Sequence, residues 1–394
     1  MPNITIRRLT DSEDHLNYLF PLTNYGFRAS PPLPTEDEMQ SWLQPGTERV
    51  VFVIFEDDQP MAAAGAIPMY QNVRGGIYPM GGVAPVVTLP QARRKGYARR
   101  LMQQHFEDMY EMGHVFSGLY PFRESFYERL GYVTFPQVRT VKFSPQTLTS
   151  MLKSSLHGSV EMLPIKEGFD QYRIYSEQHL PYVHGMAYFP PVVATRTRDS
   201  DRWVALAKAD GTIIGCMLYH ITGYFGTLKA EKFLYNAGVG RFLLLEWLAR
   251  HADQVRDIEI KLPAHELPET WWSDMEIKSV SHEWVTPMGR VLNVVQMGGM
   301  LVGNGHFNAR IVDELAPWNN SIFNFQSSGG QLRVIGTRTL ADFTLTIQGV
   351  SALAYGTHDP GDFAHRGWGD PNPDQQMLLR GMFPRRLPYM HEDY

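Results

Sequence analysis

The stretch "QARRKGYARRLM", residues 91–102, gathers Arg93, Arg94, Lys95, Arg99 and Arg100 around Gly96 and then runs into an apolar-periodic segment. That order reads as loop, turn and helix, so the cations crowd the positive end of a helix dipole, an unfavourable place unless an anion joins them. A phosphate resolves the conflict, because exposed N–H groups of a first helical turn and nearby arginines bind one together. Gly96 lets the backbone approach a diphosphate, and Ala98 keeps side-chain bulk away from it. A second stretch, "PFRESFYERLGY" at 121–132, offers a proton donor. Phe122, Phe126 and Leu130 predict the core stripe of a helix that starts at Pro121 and is capped by Gly131. Tyr127 lies beside that stripe, where its hydroxyl can reach a cleft. With an ordinary pKa near ~10 it is protonated at neutral pH and able to donate.

The elements that must position these residues follow from periodicity. "ITIRRL" alternates like a strand, "DSEDHLNYLFPLTNYGF" reads as a capped amphipathic helix, and "RVVFVIFEDDQPMAAAGAIPMYQNVRGGIYPMGGVAPVVTL" reads as three strands broken at "DDQP" and "RGG". The basic helix, a short strand at "VFSGLY", the helix from Pro121 and a closing strand pair around "VRTVKF" complete a mixed α/β layer unit. Gly81, Gly82 and Pro85 suit an irregular strand ahead of Val86, Val87 and Thr88.

"SPQTLTSMLKSS" opens a second unit. It repeats the plan with a hairpin turning at Asp210-Gly211, a helix in "GVGRFLLLEWLARHADQV" and a strand in "DIEIKLP". Its helix start carries only Arg241, so if the first start is an anion site, the second is expected to have lost it. From about Val285 the chain becomes strand-rich and Gly-rich, with helix expected across "TLADFTLTIQGVSALAYG". The expected divisions are 1–149, 150–286 and 287–394, closely packed because no low-complexity linker separates them.

Composition narrows the functional classes. A chain of 394 residues suggests two or three domains. Its 36 Lys and Arg against 41 Asp and Glu, a net charge of −5, argue against nucleic acid as the main partner. Cys216, the single cysteine, sits in an apolar strand-like run and reads as a buried core thiol, consistent with a reducing compartment. No apolar run approaches the ~20 residues of a membrane span, and "MPNITIRRLTDSED" lacks an apolar leader. A soluble, cytoplasmic protein without a membrane partner is expected. His358 and His365, with Asp359 and Asp362, occupy a turn-rich stretch whose spacing fits no metal pattern, so no metal is expected.

The basic turn resembles the cofactor signature of the GNAT N-acetyltransferases, Arg/Gln-x-x-Gly-x-Gly/Ala, with Arg93, Gly96 and Ala98 on the pattern. The later segment resembles the "Y-x-R-x-G-Y/F" stretch of the Eis-like (enhanced intracellular survival) acetyltransferases. "MGRVLNVVQM", "WNNSIFNF" and "LTIQGVSALAYG" are similar to landmarks of that family's third domain. The resemblance spans the chain. It implies two tandem GNAT domains, the second degenerate, plus a sterol-carrier-protein-like α+β domain.

It also implies a mechanism. Acetyl-CoA would be the co-substrate, held by Val86, Val87, Thr88, Arg93, Arg94, Lys95, Gly96, Tyr97, Ala98 and Arg99. Phe122 and Arg123 join that set by position, although the family has small and acidic residues there. Unpaired amides at Val86–Thr88 would bind the pantetheine arm and polarise the thioester. Tyr127 would protonate the departing thiolate, and the α-carboxylate of Tyr394 would act as base, with Glu392 and Asp393 beside it. The partners implied are a polyamine-like primary amine, of aminoglycoside or lysine type, and copies of the same chain in a homohexamer. Two other classes stay open: a lipid or sterol carrier, favoured by an apolar tunnel in 290–394, and an acyl-CoA sensor without turnover.

Overall fold

The computed structural model describes all residues except 1, 29, 36–37, 39–48, 188–190, 281–284 and 392–394. Three sheets organise them. The first contains β1 (Ile4–Arg8), β2 (Val50–Glu56), β3 (Gln59–Val73), β4 (Gly76–Thr88), β5 (Phe116–Leu119) and β6 (Val133–Thr134). The second contains β7 (Arg139–Phe143), β8 (Ser159–Pro164), β9 (Trp203–Ala209), β10 (Thr212–Ile221), β11 (Thr227–Tyr235), β12 (Asp257–Leu262) and β13 (Lys278–Val280). β14 (Met288–Val291) returns to the first sheet. The third sheet is built from β15 (His306–Val312), β16 (Ile322–Ser328), β17 (Gln331–Gly336) and β18 (Phe343–Thr346).

The strand orders are β1-β2-β3-β4-β5-β14-β6, β13-β7-β12-β11-β10-β9-β8 and β17-β16-β15-β18. Sheet membership therefore crosses the divisions expected at 149/150 and 286/287. The strand at "VRTVKF" does not close the first unit. As β7 it pairs antiparallel with β12 and with β13. The vacancy it leaves beside β5 is filled by β14, which runs antiparallel to β5 from Met288↔Leu119 to Val291↔Phe116. Each of the two α/β sheets is completed by a strand from elsewhere in the chain.

Helices cover the sheets: α1 (Tyr97–Glu111), α2 (Glu124–Glu128), α3 (Ile165–His179), α4 (Gly238–Ala249), α5 (Ile347–Tyr355) and α6 (Pro373–Met382). α1 buries Leu101, Met102, Phe106 and Met109 against β2–β4, and its exposed face keeps the arginines. The hairpin at Asp210-Gly211 has φ of 50° and 75° at its two centre residues, the combination that suits a tight turn between right-twisted strands.

Two helix expectations are corrected. α2 begins at Glu124 rather than Pro121, since Arg123 is extended at φ −157°. Phe122 consequently leaves the core stripe and is 68% exposed, while Tyr127 takes its place inside. In "TLADFTLTIQGVSALAYG" the first part is β18, parallel to β15, because Phe343 and Leu345 alternate inward. Only Ile347–Tyr355 is helical. One continuous core links Met80 and Phe116 of the first sheet to Val291, Phe307 and Tyr355, so the third unit packs directly on the first. Cys216 is fully buried and burial pushes its thiol pKa up, in keeping with a core role.

Candidate active site

The site begins at a fork in the first sheet. β4 and β5 pair in parallel only over Met80–Val83 and Phe116–Leu119. β5 stops there, whereas β4 runs on to Thr88, paired on its other side with β3 through a register shift at Gly65. A Cβ on Gly65 would stand 2.6 Å from the Ala84 carbonyl oxygen, so the irregularity depends on glycine. The Leu89 N–H donates to Met61 O at 3.0 Å, and the register carries that pairing on to Val87 and Ala63. In an antiparallel ladder the alternate residues, Val86 and Thr88, then direct their N–H and C=O groups away from β3, into the fork. Backbone groups so placed seek a partner. Arg93 Nε donates to Thr88 O across 3.4 Å at the rim.

α1 starts at the mouth of this fork. Gly96, its N-cap, is left-handed at φ 81°, and no atom lies within 4 Å of where its Cβ would be, so the approach to the turn is open. The first intrahelical bond runs from Arg100 N to Gly96 O. The N–H groups of Tyr97, Ala98 and Arg99 precede it, with no capping side chain and no acid in the first turn. This is an uncompensated helix N-terminus of the kind that binds anions.

The cations around it divide into two groups. Arg94, itself at φ 64°, and Arg100 make no ion pair among the described residues. Lys95 is different. Its Nζ lies 2.7 and 2.8 Å from the Glu56 carboxylate, and the Tyr97 hydroxyl donates to the same carboxylate at 2.9 Å. These bonds hold the Glu56 pKa below, and the Lys95 pKa above, its ordinary value. Lys95 and the Tyr97 hydroxyl are thus both joined to Glu56, which ties the loop to β2. Arg99 reaches Glu314 of the third unit at 3.0 Å. Glu56 carried no local signal, since its partner is 39 residues away and only the sheet register joins them.

Tyr127 occupies the wedge of the fork. It is 3% exposed and shares one apolar cluster with Val83, Leu119 and the half-buried Val86. Phe122, Phe126 and Tyr132 pack on its ring with centroids 5.0–6.0 Å away, mostly edge-on. Its hydroxyl makes no hydrogen bond among the described residues, and burial raises its pKa, so the proton stays on the oxygen throughout the neutral range. Phe122 covers the ring from solvent, and Arg123 beside it is exposed.

The loop after α2 is held from beneath by Arg290 of β14. Its Nη1 donates to Leu130 O at 2.5 Å and its Nη2 to Asp313 at 2.6 Å, both side chains being buried. Ser117 of β5 donates to Gly81 O and accepts from the Tyr132 hydroxyl, tying fork and loop together.

Two other segments approach. Gly26 lies against Val87, where a Cβ would come within 2.5 Å of the valine methyl, and it brings the exposed aromatics Tyr25 and Phe27 beside the strand. Met390 and Tyr120, the residue after β5, line one small cavity. Tyr394, Glu392 and Asp393 lie outside the described residues.

The second sheet repeats the fork, and the start of α4 is likewise uncapped and open at Gly238, but it carries one cation where the start of α1 has five. β11 and β12 pair only over Thr227–Ala230 and Asp257–Ile260 before diverging. Its one basic residue, Arg241, is enclosed by Tyr235, Phe242 and Trp271, with the guanidinium 5.1–5.5 Å from each ring centroid. That cation faces aromatic walls.

Known proteins agree with this arrangement. Residues 5–135 match the acetyltransferase (GNAT) domain and residues 300–391 the sterol carrier protein domain. No curated protein matches the chain significantly. Among solved structures, the GCN5-related N-acetyltransferase from Anabaena variabilis superposes with a TM-score of 0.83 at 17% identity, over 99% of this chain and all of that one. One from Kribbella flavida gives 0.80 at 19%, over 99% of each chain. Eis1 from Mycobacterium abscessus gives 0.81 at 16%, over 99% of this chain and all of its own. At these identities the likeness is one of fold.

Proposed function

We propose that this chain, an N-acetyltransferase with an Eis-like arrangement of GNAT and sterol carrier protein domains, moves the acetyl group of acetyl-CoA onto a primary amine of a polyamine-like substrate. The observation that carries the reading is the open first turn of α1, with its free N–H groups and arginines, at the mouth of a fork whose wedge holds a protonated tyrosine. In this reading Arg93, Arg94 and the amides of Gly96–Arg99 hold the diphosphate, while Phe122 and Arg123 border the cofactor. The backbone groups of Val86 and Thr88, which face the fork while those of Val87 pair with β3, bind the pantetheine arm and support the charge that develops on the carbonyl oxygen.

The amine arrives as an ammonium, beside the exposed rings of Tyr25 and Phe27, which favour a cation. It gives a proton to the base, the Tyr394 carboxylate. Its nitrogen then forms the C–N bond as the C–S bond breaks. Tyr127 delivers a proton to the sulfur and regains one from the amine through solvent, leaving amide and free thiol. Met390 shares a cavity with Tyr120 at the end of β5, which supports the assignment of the base to this tail. By the same resemblance the assembly is proposed to be a homohexamer. The carrier reading is less favoured: Phe307, Phe325 and Phe343 stack with centroids 4.8–5.3 Å apart and fill the inner face of the third sheet.

The test is release of free thiol from acetyl-CoA with aminoglycosides and diamines as acceptors. Turnover is expected. Tyr127→Phe should lower kcat by about 10²-fold with the acetyl-CoA KM little changed. Full activity in a chain lengthened beyond Tyr394 would remove that carboxylate from the mechanism. Binding of acetyl-CoA without thiol release for any amine would favour the sensor.

A further inference from the structure

In the reading above, the first turn of α1 holds a diphosphate and the fork holds a thioester. The remaining end of the cofactor, an adenosine with a 3′-phosphate, must then leave the turn on the side away from the fork. A cleft of about 830 Å³, with Arg99 of the first turn of α1 in its lining, lies between the outer face of α2 and the third domain. Arg123 and Arg129 line it from α2 and its flanks, and Arg366 faces them from the third domain. The volume is that of a ligand site rather than a surface dimple.

The charges in the cleft favour an anion. Arg366 meets Glu128 at 3.6 Å and Arg99 meets Glu314 at 3.0 Å. Asp313, also in the lining, is committed to the buried Arg290. Arg123 and Arg129 have no carboxylate partner among the described residues, so two positive charges remain unbalanced. The two ion pairs that do form are largely solvent-exposed, hence weak and easily exchanged for a stronger partner. A phosphate monoester brings a charge of about −1.5 to −2 and three acceptor oxygens. An amine substrate would meet repulsion here.

We propose that this cleft seats the 3′-phosphoadenosine end of acetyl-CoA, with Arg123 from the acetyltransferase domain and Arg366 from the sterol carrier protein domain gripping the 3′-phosphate. The inference rests on the acetyl-CoA reading and gives the third domain a direct part in the cofactor site.

Calorimetry with acetyl-CoA and with its 3′-dephospho form tests it, on the full chain and on Arg123→Ala, Arg366→Ala and the double variant. The native protein should bind acetyl-CoA at least about tenfold more tightly than the dephospho form, the range of a charge-assisted hydrogen bond. The double variant should bind both forms alike, at the affinity of the native protein for the dephospho form. In thiol release the variants should raise the acetyl-CoA KM and spare kcat. A native protein that does not distinguish the two forms, or variants that keep the distinction, would overturn the cleft assignment and leave the acetyltransferase reading intact. A native protein that binds neither form overturns both. Because each variant is measured with both cofactors, a folding defect shows as equal loss of the two, and Arg366→Lys, which keeps the charge, should then restore the preference; its failure to do so counts against the proposal.

Discussion

Lys95 and Arg94 are neighbours in the chain, yet their charges have different fates. The Lys95 ammonium is neutralised by Glu56, whereas Arg94 has no carboxylate among the described residues. Arg94→Ala should therefore raise the KM for acetyl-CoA by about tenfold, in the range of one charge-assisted bond. Lys95→Ala should act mainly through loop geometry and change it by less. Steady-state kinetics at two ionic strengths checks the ordering, and the Arg94 effect should shrink in high salt. At this scale the chain was legible in kind but not in pairing. The open, uncapped start of α1 at Gly96 was legible from the residue types and spacing. Which cation is spent on a carboxylate depends on Glu56 lying beside Lys95, a fact of sheet register and not of local pattern.

The five-residue α2 is too short to hold Tyr127, the proposed acid, by its own hydrogen bonds. What holds it is a buried bridge from another element, Arg290 of β14, which ties Leu130 O to Asp313. Arg290→Met should leave Asp313 buried and unpaired and cost about 3–5 kcal/mol. Denaturant unfolding measures the loss, and kcat should fall as the loop after α2 loosens. An unchanged midpoint would show that Asp313 finds its compensation in Asn319 and the amides of Leu315 and Ala316. The elements themselves were mostly readable: the strands broken at turns, the basic helix, and the second hairpin at Asp210-Gly211. The misreadings came where periodicity is ambiguous. Phe122 fitted a helical stripe that backbone extension at Arg123 does not allow, and Phe343, at helical spacing from Leu340 and Ile347, fitted both periods until β15 supplied a partner.

Across the whole molecule, the three sheets are joined at the end of α5. Arg74, buried in the turn between β3 and β4, donates to Leu353 O and Ala354 O, and His184 donates to Tyr355 O. Two units thus satisfy the terminal carbonyls of a helix in the third. Burial pushes the pKa of His184 down to about 3, and those of His105, His114 and His358 to about 4. The unfolded chain accepts protons near pH 6.5 that the folded one refuses. Stability is therefore complete above that value and falls as the pH drops toward 4, by about 1.4 kcal/mol per unit for each histidine still neutral. Thermal unfolding from pH 7.5 to 4.5 should show this slope, and His105→Gln should lessen it by one proton's worth. The exchange of β7 and β14 makes a second prediction. A fragment of residues 1–149 lacks β14, exposes the edge of β5 and should be insoluble when expressed, as sedimentation of the lysate would show. Sequence patterns revealed three consecutive units but not this exchange, because β7 and β14 look like ordinary strands wherever they pair.

The same exchange imposes an order on synthesis. β5 emerges from the ribosome long before β14 does, and at about 5–20 residues per second its open side waits on the order of ten seconds or more. The nascent chain therefore finishes the second sheet, whose strands are all made by then, before the first can close. The first sheet is thus the last to close, and until then its open edge is the part most exposed to mispairing.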